Sequence, residues 1–297
     1  MFDLRYHVAS LAAVFLALVV GILVGVGISS QGVISTKERD VLNERIAELR
    51  NQRDAARAHA GELARAQRWT QTFVKRTYPA VMSGRLASTR IALLFVGGVD
   101  GTLRSDVDET LADAGARGLV RFRALKVPID VPAIDRVLAS RRALARYVGD
   151  RRLAELGGAL GQEFVRGGKT PLWNALSDQL VEERGGSGAP TVDAVVVVRS
   201  ARPQARGTAR LLGGLYDALS GSGAPVVGIE TSNSTGGIVE TFRKHRLSTV
   251  DDVDTPFGRL ALAVVLAGGA PGHYGVKPSA EDLLPPVEPV PVPTTSG

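Results

Sequence analysis

Residues 192–198 read VDAVVVV, and no other stretch says as much about the fold. Four consecutive valines follow an alanine with no polar residue among them, so neither side of this strand is made to face water. A strand covered on both faces belongs in a parallel sheet wrapped by helices. Outward from it, comparable runs occur at 91–96 (IALLFV), 119–127 (LVRFRALKV) and 225–229 (PVVGI), with a shorter fifth at 247–250 (LSTV). The sequence between successive runs is in each case long enough for a crossover helix. The fold class expected for residues 79–277 is therefore α/β, a mostly parallel, doubly wound domain. Residues 130–183 carry helical patterns and no clear strand, which predicts a helical insert over one face.

Upstream of this domain the composition changes. Residues 36–76 contain no proline and one glycine, and helix formers dominate. Leu42, Ile46, Leu49, Arg53, Ala56, Ala60 and Leu63 alternate steps of four and three, the a/d spacing of a coiled coil, although Arg53 and the two alanines thin the seam. A coiled-coil stalk is expected over 31–78, with Tyr78-Pro79 as its stop, because a residue before proline is driven out of the α region. Ten basic against six acidic residues leave a surplus of four positive charges in 36–76, out of a net +6 for the chain. Such a surplus either attracts anionic lipid or wall polymer, or is a solvated helix face.

Further upstream, residues 8–28 read VASLAAVFLALVVGILVGVGI, 21 residues with no charge and one hydroxyl, Ser10. As a helix this run is about 31 Å long, against a hydrocarbon core of about 30 Å. It exceeds the apolar region of a secretory signal and no clear Ala-x-Ala follows it, so residues 1–30 are expected to form a retained transmembrane helix in membrane lipid. Ala9, Ala13, Ala17, Gly21 and Gly25 recur every fourth residue, a shallow stripe along which two helices can approach. Association, as a homo-oligomer or with an envelope protein partner, is thus expected through Ala17, Gly21 and Gly25 in the span and Leu42, Ile46 and Leu49 in the stalk. Charge does not orient the span, since Arg5 precedes it while Lys37, Arg39 and Arg45 follow. At the other end, residues 278–297 include PPVEPVPVP, which cannot pair as a strand or wind as an α-helix and is expected to be an extended or disordered tail.

Composition narrows function mainly by exclusion. With no cysteine there is no disulfide, thiolate nucleophile or Cys-ligated metal. The 22% of charged residues is ordinary and the signs alternate along most of the chain, so no nucleic acid partner is expected. His7, His59, His245 and His273 lie far apart, without metal-ligand spacing, and no serine sits in a nucleophile-elbow pattern. The expectation is a protein that is not an enzyme, with no cofactor and no assignable metal ligands.

Two loops merit attention. Residues 96–101, VGGVDG, follow a strand and precede a helix, where backbone amides can cradle a phosphate; the spacing is not G-x-G-x-x-G, however, and a tight turn needs glycine in any case. Residues 230–237, ETSNSTGG, stand at the carboxyl end of a strand, where doubly wound sheets bind ligands. Thr231, Ser232, Asn233, Ser234, Thr235, Gly236 and Gly237 are the candidate ligand or partner-binding loop; the other reading is a Ser/Asn-capped helix start.

Two stretches carry a resemblance. RYHVASLAAVFLALVVGILVGVG (5–27) and STVDDVDTPFGRLALAVVLAGGAPGHYGV (248–276) resemble the actinobacterial MctB-like copper transporter family, and the order of span, coiled coil and α/β domain is similar too. The resemblance implies an envelope or outer-membrane protein of copper efflux and copper homeostasis, with copper as cargo and the N-terminus in the cytoplasm. Members are also associated with coiled-coil roles in envelope or division control, which leaves open a partner-binding scaffold. Selective Cu(I) sites use Cys and Met, whereas this chain has no Cys and only two Met.

Overall fold

The structure, a computed structural model, describes residues 4–30, 36–186, 190–199, 204–235 and 237–290. The chain divides into two compact units after Gln71.

The first unit is helical, and the last turns of its second helix, from Thr72 on, belong to the second unit. Helix α1 (Leu4–Ser30) contains the apolar run: the 21-residue stretch His7–Gly27 is long and apolar enough to cross a membrane, and no part of it is buried. Helix α2 (Thr36–Met82) is 47 residues long and leaves Leu42, Ile46 and Leu49 exposed. It does not stop at Tyr78-Pro79 as expected. Pro79 lies inside the helix, which runs on to Met82. Its missing N–H leaves the carbonyl of Lys75 without its usual partner, but the turn beyond it is held from outside: Met82 is fully buried, Tyr78 packs beside it, and the Tyr78 hydroxyl donates to Asp113 at 2.9 Å. Tertiary packing overrides the local preference.

The second unit is α/β, a seven-stranded mixed sheet of mostly parallel strands. In chain order it contains β1 (Ile91–Val96), α3 (Gly101–Asp113), β2 (Leu119–Leu125), α4 (Val131–Ala139), α5 (Leu153–Arg166), α6 (Pro171–Ala175), α7 (Ser177–Leu180), β3 (Val181–Gly185), β4 (Ala194–Arg199), α8 (Arg206–Ser220), β5 (Val226–Ile229), α9 (Ile238–Lys244), β6 (Ser248–Val250), α10 (Pro256–Leu266) and β7 (His273–Tyr274). Strand order is β3-β2-β1-β4-β5-β6-β7, and all pairings are parallel except β2 with β3. The five strands read from sequence are present. β3 corrects the expectation of a strandless 130–183: its VEERG sequence is too charged to read as a strand, and it pairs only at the sheet edge, where charge is tolerated.

Alternate residues of the central strands supply two separate cores. Ala92, Leu94, Val195 and Val197 pack with α4, α5 and α8; Leu93, Phe95, Val196 and Val198 pack with α3 and α10. At the start of this pair Arg90 grips Asp193, with Nε 2.9 Å from Oδ2 and Nη2 2.7 Å from Oδ1, and the Asp193 N–H returns a bond to the Arg90 carbonyl at 2.7 Å. That fork sets the register of β1 against β4. Helices α5 and α8 cross backbone to backbone: a Cβ added at Gly157 would lie 1.9 Å from the Leu211 carbonyl oxygen, and one at Gly214 would lie 2.0 Å from that of Ala154.

The tail is described as far as Val290 and has neither helix nor regular strand there; Arg85 Nη2 donates to the Glu288 carbonyl at 2.9 Å. Residues 291–297 lie outside the described residues.

The α5–α8 crossing gives the first prediction. Gly157→Val must push two helix backbones apart, and should lower unfolding free energy by about 3 kcal/mol, the upper end of ordinary overpacking. Val→Ala at exposed Val148 serves as the control, and chemical denaturation of both variants measures the difference.

Candidate functional site

The candidate loop leaves β5 at its carboxyl end, and the structure shows why its hydroxyls are where they are. Glu230, the first residue past β5, is 3% exposed and forms an ion pair with Lys277, Oε1 to Nζ 3.0 Å. Burial of a carboxylate demands such a partner. The same ammonium donates to the Ser234 carbonyl at 3.0 Å and to Ser234 Oγ at 2.9 Å, while Ser234 Oγ donates to Glu230 Oε2 at 2.7 Å. Ser232 is held from the other side, its N–H and its hydroxyl each 2.7 Å from a different oxygen of Asp254. Thr231 donates to the side-chain oxygen of Asn233 at 2.8 Å. Asn233, Thr235 and Gly237 are exposed, and Gly236 lies outside the described residues.

The hydroxyls of Ser232 and Ser234 thus brace the loop internally. The alternative of a Ser/Asn-capped helix is corrected: α9 has Gly237 at its N-cap and no side-chain capping bond. The glycine turn after β1 is also committed, because Asp100 caps α3 by accepting from the N–H groups of Thr102 and Leu103. A carboxylate already occupies the place a phosphate would take.

Sequence reasoning did not assign roles to the residues that hold the loop, although Asp254 lies in the stretch that carries the resemblance and Lys277 directly follows it. The run Asp251, Asp252, Val253 and Asp254 directly after β6 is its signal. Asp251 is 1% exposed and accepts from the N–H groups of Val276 and Lys277 at 2.9 and 3.3 Å. Gly275 has φ +140, and a Cβ there would meet Asp251 Oδ1 at 1.9 Å, so this turn admits only glycine. Asp252, fully buried, accepts from Thr255 Oγ1 at 2.8 Å, and Thr255 in turn caps α10 by accepting from Gly258 N–H at 3.1 Å, with Pro256 opening the helix. Burial raises the Asp252 carboxyl above the usual carboxylate range, and the neighbouring Asp251 and Asp254 charges add to the effect. Burial opposes the charge on Asp254 as well, but the two bonds from Ser232 prevail and hold that carboxyl below the usual range.

The remaining expected residues are carried by other elements. Ala17, Gly21 and Gly25 are exposed along α1, with nothing within 4 Å of a Cβ added at either glycine. Of the domain's two histidines, His245 Nδ1 is 2.7 Å from Asp217 and His273 Nδ1 is 2.9 Å from Thr249. Met82 is fully buried.

The features together define a class: an α/β domain preceded by a long apolar helix, with a polar loop braced at the carboxyl edge of the sheet. The family described as copper transport outer membrane protein, MctB, matches residues 1–285, and the chain belongs to that family. No curated protein matches it.

Two predictions follow from the brace. Lys277→Met strands Glu230 without a counter-charge and should cost about 3 kcal/mol or more, most of which returns in the double variant with Glu230→Gln; denaturant titration of the three proteins reads the coupling. Asp252 binds its proton more tightly folded than unfolded, so its contribution to stability is present at acid pH and is lost as pH rises through the raised value. The stability of wild type relative to Asp252→Asn should therefore decline from pH 4 to pH 7 (roughly the window above an ordinary carboxyl pKa), and a difference that is flat or rising with pH would contradict the assignment.

Proposed function

We propose that this chain is a single-pass, membrane-anchored envelope protein that serves copper efflux and homeostasis with its domain outside the cytoplasm, and that it acts without enzymatic chemistry and without a high-affinity copper site of its own. The observation that carries the anchor is α1: the 21-residue stretch His7–Gly27 is apolar apart from His7 and Ser10, and none of it is covered by protein. Lipid is the surface that such a helix requires. Copper enters through the family, whose description names copper transport.

The indirect role in copper is supported by how the soft and borderline ligands are used. Met82 is sealed in the core, and His245 and His273 are tied to different partners, Asp217 and Thr249. A selective Cu(I) site needs soft ligands converging on one point. The domain is read as doubly wound, with helices on both faces of a sheet whose order reverses between β1 and β4, and its carboxyl edge carries the braced loop.

A second reading, a coiled-coil scaffold for an envelope or division partner, is favoured by the exposed Leu42, Ile46 and Leu49 on α2. In both readings the chain works by contact.

Complementation of a deletion strain separates these ideas. The variant Met82→Leu, His245→Ala, His273→Ala should restore copper tolerance as fully as wild type, while removal of residues 4–30 should abolish it. Loss of tolerance in the ligand variant, at normal protein level, would show that copper is handled directly.

A further inference from the structure

Helix α2 segregates its charges. Between Arg39 and Arg57 every arginine falls on the seam side of the heptad set by Leu42, Ile46, Leu49 and Leu63: Arg39 and Arg53 at a, Arg45 at g, Arg50 and Arg57 at e. The carboxylates Asp40, Glu44, Glu48, Asp54 and Glu62 fall at b, c and f, on the opposite side, and only Glu38 lies at a seam position. The seam leucines are more than half exposed, at 54% for Leu42, 57% for Leu49 and 58% for Leu63.

Two copies fit this seam badly. In a parallel pair Arg45 at g meets Arg50 at e of the partner helix on both sides, and Arg53 meets its own copy at a. Like charges directly opposed suppress pairing. An acidic helix fits the same surface better, because leucines cover leucines while glutamates answer Arg45, Arg50 and Arg57 at e and g; Arg53 already pairs with Asp54 at 2.7 Å.

We infer that the α2 seam between residues 39 and 63 is a docking surface for an amphipathic helix with acidic flanks, so that the expected stalk association through Leu42, Ile46 and Leu49 is with a different chain and not with a second copy of this one. The inference rests on the scaffold reading of the stalk. It leaves the Ala17, Gly21 and Gly25 stripe of α1 free for self-association.

The test uses the full-length chain in phosphatidylcholine nanodiscs and fluorescent synthetic peptides of about four heptads. One peptide has leucine at a and d with glutamate at e and g, a second replaces the glutamates by lysine, and a third keeps the glutamates but replaces the leucines by alanine. The glutamate–leucine peptide should bind at least about tenfold more tightly than either of the others. The variant Arg45→Glu, Arg50→Glu, Arg57→Glu, whose exposed positions leave the fold intact, should reverse the preference in favour of the lysine peptide. Equal binding of the alanine peptide would mean a general attraction to polyanions and would overturn the helix partner. Failure of all three peptides, together with arginine-dependent sedimentation of the chain with phosphatidylglycerol vesicles, would assign the seam to an anionic membrane surface. A reporter fused after Ala80, active only outside the cytoplasm, checks the anchor independently, so loss of peptide binding alone would reject the seam and not the anchor.

Discussion

The backbone ladder between β1 and β4 lies between two apolar layers, so its N–H and C=O groups have only one another to bond. This constraint reaches outward through the second unit. The register must be right, because a slip of one residue would exchange the side chains of the two cores. The Arg90–Asp193 fork meets that need at the mouth of the pair, outside the apolar layers, where charge is affordable. Both faces must also be roofed, which accounts for the close approach of α5 to α8: the glycines at their crossing bring the two helices near enough for both to rest on the same valines.

At the carboxyl edge the problem is inverted. Here the chain must turn sharply while several carboxylates are taken out of water, and the solution is mutual obligation. Lys277 cannot be placed without Asp251, which fixes the preceding turn; Glu230 cannot be buried without Lys277; the loop after β5 cannot hold its path without Glu230 and Asp254. A residue that follows the last strand therefore helps to hold a loop formed earlier in the chain.

What was legible in the sequence follows from where the information is stored. Runs such as IALLFV and VDAVVVV announce themselves because a strand buried on both faces needs no alternation. The strand VEERG was silent because an edge strand is selected for charge, the opposite of the signal sought. Pro79 misled because its local preference is real but is outweighed by the burial of Met82 and the bond from Tyr78, neither visible from neighbours in sequence. In the candidate loop the residues themselves were legible and their duties were not. A serine that binds a ligand and a serine that braces a turn look alike until Asp254 and Lys277, both distant in sequence, are brought beside them.

The two ends of the sheet have a bearing on crowding. One closes with an antiparallel strand whose Glu182, Glu183 and Arg184 all stand exposed, and the other with a strand only two residues long. Neither offers the long, flat, apolar border along which a neighbouring chain adds itself strand by strand. Among the described residues, neither border of the sheet is thus a template on which a fibre could start.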